Sequence, residues 1–151
     1  AARQCCPAFA VADSVCWWSA FDVADGRLGF DGRFDYVRGK LDAGGNVPRI
    51  TPLRYGAGIF FESDNLFSRI SFLRANEQND IATNETSTNG YTDLRAEATY
   101  TFFLPQSDRE IELGIVGTNL LDDDIRNHVS FKKEDVLEPG ASALFFIRAK
   151  L

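Results

Sequence analysis

The one histidine of the chain, His128, stands in an acidic stretch with Asp122, Asp123, Asp124, Glu134, Asp135 and Glu138. An imidazole beside carboxylates can ligate a metal, so His128, Asp123, Asp124, Glu134 and Asp135 are candidate contacts for an incoming metal ion or metal complex. A transition-metal site normally takes more than one imidazole or thiolate, and carboxylates alone suit harder cations. The lone imidazole therefore favours a plainer reading, a solvated acidic loop in which Arg126, Asn127 and His128 make structural hydrogen bonds. No other reactive set stands out: there is no G-x-S-x-G elbow, no second histidine for a triad, no cysteine near His128 and no Walker loop. Asp108, Glu110 and Glu112 alternate through a short turn and read as solvated charges. An enzyme is not expected, and nothing calls for a cofactor. Cys5, Cys6 and Cys16 are an odd set with an adjacent pair, matching neither a disulfide framework nor a C-x-x-C metal site, and read as incidental. Asn84-Glu85-Thr86 fits the glycosylation sequon, a three-residue match that chance often supplies.

The remaining charge is patterned rather than clustered. In YTDLRAEATYTFF (residues 91–103), Leu94, Ala96, Ala98, Tyr100 and Phe102 alternate with Asp93, Arg95, Glu97, Thr99 and Thr101. A period of two places these sets on opposite faces of a β-strand. In a soluble sheet the apolar face packs on a core and the charged one meets water. In a transmembrane barrel the apolar face meets lipid and the charged one lines a wet lumen.

Bulk properties narrow the choice. No apolar run approaches the roughly 20 residues of a transmembrane helix, so a membrane crossing would have to be made by strands. A net charge of -6 argues against a dedicated nucleic-acid binder. Thirteen Phe, four Tyr and twelve Gly lean towards β-structure. A chain with no Met that begins AARQCC reads as a fragment. Residues 1–25 differ in composition from the rest and are expected to be an atypical end, a boundary or a preceding strand.

Six long strands are expected, at about 28–40, 52–62, 66–77, 91–104, 110–121 and 141–151. The breaks between them alternate long and short, so an antiparallel meander gathers its long polar loops at one end and its tight turns at the other. Outer-membrane barrels show that asymmetry, and strands of about 10 to 13 residues match a tilted bilayer crossing better than the usual soluble strand of about 5 to 6. Tyr36, Tyr55, Phe61, Tyr91, Phe102 and Phe103 fall near strand ends, where aromatic girdles sit. The expected fold is all-β: an antiparallel meander of about six strands forming part of a transmembrane β-barrel over residues 26–151. Leu94 to Phe102 would face lipid; Arg33, Asp35, Arg54, Asp93, Arg95 and Glu97 would face the lumen. A soluble antiparallel sheet acting as a ligand-binding module, or a small complete outer-membrane barrel, are the alternatives.

Three stretches carry a family resemblance: NVPRITPLR (residues 46–54), ETSTNGYTDL (85–94) and NLLDDDIRNHVSFKKEDVLEPG (119–140). In this order, with strands between them, they resemble the C-terminal end of TonB-dependent outer-membrane receptors. Ala141 and Leu151 stand where that family commonly has Arg and a terminal Phe. The resemblance implies a 22-stranded barrel around an N-terminal plug, of which this chain covers only the last part. It implies the outer membrane of a Gram-negative bacterium and uptake of a scarce nutrient such as a metal complex or siderophore. The implied partners are the lipid bilayer, the plug domain of the same chain and the TonB complex. The charged wall would then pack against the plug.

Overall fold

A computed structural model describes residues 14–42, 44–104 and 109–150 of the chain. It is all-β, a single sheet of β1 (Ser14–Val23), β2 (Gly26–Asp35), β3 (Arg54–Glu62), β4 (Leu66–Ala75), β5 (Tyr91–Phe103), β6 (Glu110–Thr118) and β7 (Ser142–Lys150). The strands lie side by side in sequence order and every neighbouring pair is antiparallel. No ladder joins β1 to β7 among the described residues, so these two strands are the edges of the sheet.

The described strands number seven where about six were expected, the additional one being the preceding strand that residues 1–25 allowed. SVCWWSAFDV pairs with β2 along its whole length, from Ser14 opposite Asp35 to Val23 opposite Gly26. Its alternation is blurred because Trp17 and Trp18 put indoles on both faces. Cys16, expected to be incidental, is disulfide-bonded. The expectation for the first thirteen residues, Cys5 and Cys6 among them, lies outside the described residues.

Strands end where their partners do. Residues 36–40 were expected to extend β2, but Asp35 already faces Arg54, the first residue of β3, and nothing remains to pair with. The chain instead folds into a small loop closed by the Lys40–Asn46 bridge, with Gly44 and Gly45 at φ of 88° and 98°, a region that favours glycine. β6 stops at Thr118 because Asn119 takes a positive φ of 49° and turns the chain.

Register sorts the side chains into two faces. Phe30, Ile59, Ile70, Leu94, Ala96, Ala98, Ile115 and Phe145 share one face; Asp31, Arg69, Arg95, Glu97 and Arg148 share the other. A cavity of about 1530 Å³, lined by residues of β1 through β5 including Asp31, Arg69 and Glu97, lies on the charged side, so the sheet curls with its charges inward. Tyr91, expected in an aromatic girdle, points inward instead: it stands opposite Ala75, which stands opposite Arg54.

Shelter follows this curl and not hydrophobicity. Asp31 and Asp93 keep 8% and 5% of their surface exposed, whereas Phe102 and Ile147 keep 46% and 77%. The buried hydrophobic residues among those described are only Ala75 and Ile125. One glycine makes the inward packing possible. An added Cβ at Gly58 would stand 2.6 Å from the Arg69 guanidinium and 3.0 Å from Asp31, whose ion pair crosses β3 at that point.

Gly56 has less freedom to change, because a Cβ there would lie 2.4 Å from the backbone oxygen of Phe72 and β4 itself would have to move. Gly56→Val is therefore expected to destabilise the sheet by about 1–3 kcal/mol. Gly58→Ala, which presses on the movable end of Arg69, should cost less. Thermal unfolding of the chain refolded in detergent micelles, followed by circular dichroism, gives that order; equal midpoints would refute it.

Candidate functional site

Two assemblies bring polar side chains together: the concave trough and a knot of loops at its mouth. In the trough, Arg69 grips Asp31 through both carboxylate oxygens, with Nη1 donating to Oδ2 at 2.5 Å and Nη2 to Oδ1 at 2.7 Å. Arg54 pairs with Asp35 at 3.2 Å, and Arg95 with Asp93 at 2.7 Å. The second oxygen of Asp93 accepts the Asn119 backbone N–H, tying β5 to the start of the last long loop. A strand period of two supplies these charges, and the antiparallel register brings opposite signs within reach. Arg33, Asp93, Arg95 and Glu97, expected to face a lumen, line the cavity; Asp35 and Arg54 share their face by register.

The knot forms where residues 36–53, 76–90 and 119–141 meet. The Glu85 carboxylate is its centre. It accepts N–H bonds from Arg49 at 3.0 Å and from Ala82 at 3.2 Å, and lies 3.5 Å from Lys133 Nζ. Lys133 also donates to the Thr86 carbonyl at 2.5 Å. His128 is buried against both: Nδ1 shares a 2.9 Å hydrogen bond with the Thr88 hydroxyl, while Nε2 lies 3.2 Å from Glu85 Oε1 outside hydrogen-bond geometry. Thr86 bonds Glu134, Arg126 bonds the Lys133 carbonyl, and the Arg49 guanidinium lies 3.3 Å from the centre of the Phe131 ring. Each loop thus holds the next with charged or buried groups.

The metal candidates are not brought together. His128 gives Nδ1 to Thr88 and keeps Nε2 beside Glu85 without a hydrogen bond, and Asp123 accepts the Thr92 backbone N–H at 2.8 Å while its own main chain is clamped by Asn119. Asp124, Glu134 and Asp135 are exposed. No group of three or more His, Cys, Asp or Glu side chains suited to a metal ion forms among the described residues. The order Thr88, His128, Glu85 has the outline of a nucleophilic triad. Thr88 is buried, however, and is not among the residues lining the trough, and the three side chains tie residues 85–88 to residue 128. Glu85, Thr88 and Lys133 went unnoticed as site residues in the sequence, since their partners stand about 40 positions away and no local spacing marks them.

Charge in the knot is set by its surroundings. Burial lowers the pKa of His128 from 6.5 and Lys133 lowers it further, against the opposing pull of Glu85 and Glu134. Burial alone would raise Glu85, but the Ala82 and Arg49 N–H donors, with His128 and Lys133, leave it below 4.5.

No protein-family model matches the chain, and no curated protein matches it.

Both shifts act in the same direction on stability. A depressed histidine makes the unfolded chain the better proton acceptor below pH 6.5, and a depressed carboxylate loses its advantage as pH falls past 4.5 towards its lowered value. Amide exchange in residues 82–90 and 126–134 should therefore quicken as pH drops from 6.5 to 4.5, beyond the intrinsic pH dependence read from residues 94–100. Glu85→Ala strands Lys133 and is expected to cost about 3 kcal/mol. The same exchange measurement checks it at neutral pH; unchanged protection in both loops would refute the knot.

Proposed function

We propose that the chain is the C-terminal part of a TonB-dependent receptor barrel in the outer membrane of a Gram-negative bacterium. In this reading the whole receptor takes up a scarce nutrient such as a metal complex or siderophore. One observation carries it: the face that the curl shelters is charged, while Phe30, Ile59, Ile70, Phe72, Phe102 and Ile147 stand exposed on the other. A contiguous apolar face of this kind on a water-soluble chain would mark an interface or an aggregation site. On a bilayer-spanning sheet it is the lipid-facing band.

Three further features agree. The strands run from 9 to 13 residues, as tilted bilayer crossings do. The loops of residues 36–53, 76–90 and 119–141 gather at one end and the tight turns at the other, and the stretches resembling the receptor family fall at the loop ends of the strands. The long loops are knotted together, which suits an outward-facing mouth. No helix among the described residues is long and apolar enough to cross a membrane. The concave wall of paired charges would meet a plug domain, and the TonB complex would act through that plug. A soluble binding module would need a cover over the convex face, and nothing among the described residues supplies one.

The test places one arginine on each face of the same strand. Ala98 and Thr99 are neighbours in mid-β5, outward and inward by register. Ala98→Arg should impair assembly into outer membranes or vesicles by about 2–4 kcal/mol, and Thr99→Arg should be tolerated. Equal yields of folded, protease-resistant protein from the two variants would reject a bilayer on the convex side. Nutrient-dependent growth with the receptor that contains this segment then tests uptake itself.

A further inference from the structure

Arg33, Arg54 and Arg95 share the inner face of the sheet, and they are not equivalent. Arg54 has Asp35 and Arg95 has Asp93, each within 3.2 Å. Arg33 lies two residues from Asp35 on β2 and on the same cavity wall as Arg95, and feels the charge of Arg54, Arg95, Asp35 and Tyr91. Among the described residues no carboxylate comes within ion-pair distance of Arg33, because the two nearby ones are already engaged. A cation that feels two further cations, with its counter-charges committed elsewhere, lacks one negative charge.

The floor beside Arg33 is bare on its β3 side, where Arg33 faces Gly56 and Asp31 faces Gly58; on its β1 side Arg33 faces the disulfide-bonded Cys16. The Arg69–Asp31 pair fills the hollow over Gly58. Over Gly56 the three atoms nearest to an added Cβ belong to the β4 backbone, in contrast to the Arg69 and Asp31 side-chain atoms met over Gly58. The hollow opens into the cavity that Arg33, Gly56, Leu73, Asp93 and Arg95 line. Arg54 also keeps a buried Nε with no hydrogen-bond partner.

The geometry points to an oxyanion site on Arg33, above the Gly56 floor, that takes the carboxylate or phosphate group of a small solute entering the trough. The guanidinium offers paired donors in one plane, the arrangement that matches a carboxylate or phosphate edge. Arg54 and Arg95 raise the local potential without losing their own partners, and Tyr91 lies near enough to feel the same charge. The site rests on the barrel reading only in needing the concave face to stay wet beside Arg33 where a plug meets the rest of the wall, and it is independent of whether the whole receptor transports anything.

Titration calorimetry on the full chain refolded in detergent micelles tests it, with succinate and inorganic phosphate as probes and neutral succinamide as the control. Saturable binding of both anions, weakening with salt, and none of succinamide is expected. Arg33→Gln should weaken binding by about 10-fold or more, as loss of a charge-assisted pair does. Arg148→Gln should change nothing, because Arg148 pairs with Glu112 on β6 away from this hollow. Asp35→Asn should tighten binding several-fold by removing the competing carboxylate, and it keeps the proposal testable if Arg33→Gln fails to fold. Absence of saturable binding, equal binding of succinamide, or indifference to both Arg33→Gln and Asp35→Asn overturns the site. Neither result bears on the Ala98 and Thr99 comparison, so failure here and failure of the membrane reading are separable.

Discussion

A β-strand has two faces, and in this sheet the sheltered one carries the charge. In water that arrangement is unfavourable twice over. Leaving a Phe or Ile side chain exposed forgoes about 1.5–3 kcal/mol of burial, and sheltering Asp31 with Arg69 costs desolvation that their attraction only partly repays. On the proposed reading, with lipid outside and water inside, both terms would change sign: the apolar residues would leave water, and the charges would keep a wet wall where paired arginines and carboxylates hold one another. The remaining architecture fits a sheltered face that carries the charge. Small residues such as Gly58 make room for ion pairs crossing the inner wall, and the curl that shelters the charges also opens the trough.

Rigidity then comes from a place where a soluble protein seldom keeps it. With Ala75 and Ile125 the only buried hydrophobic residues described, no apolar core holds the long loops in place. Glu85, His128, Lys133 and Thr88 do so instead, supplemented by Asn119, whose side-chain amide donates to the Asp123 and Pro139 carbonyls. The trough and the last long loop meet at Asp93, which serves Arg95 on its own strand and the Asn119 backbone at the start of that loop. Events at the mouth and on the wall therefore share a residue.

Much of the sheet was legible because its code is local. The alternation of Leu94, Ala96 and Ala98 with Asp93, Arg95 and Glu97 sets both faces of β5 with no knowledge of its neighbours, and the same holds for β2 and β6. Legibility failed where partners are distant or patterns mixed. β1 was obscured by adjacent tryptophans, and the end of β2 depended on where β3 begins. His128 illustrates the limit best. Its chemistry suggested a metal or a structural hydrogen bond, and the choice between them lies in Thr88 and Glu85, about 40 residues upstream. The surplus charge on Arg33 is likewise invisible until register shows which carboxylates are already taken.

The two tryptophans of the chain stand on opposite faces, Trp17 outward over Gly32 and Trp18 lining the trough. Quenching of their fluorescence by brominated lipid in reconstituted vesicles is the most direct reading of which face meets the bilayer. Trp18→Phe, which leaves Trp17, should be quenched strongly, and Trp17→Phe, which leaves Trp18, should be nearly untouched by lipid and accessible to a water-soluble quencher. Lipid quenching of neither tryptophan, or of both alike, would contradict a sheet that turns its apolar face to the membrane.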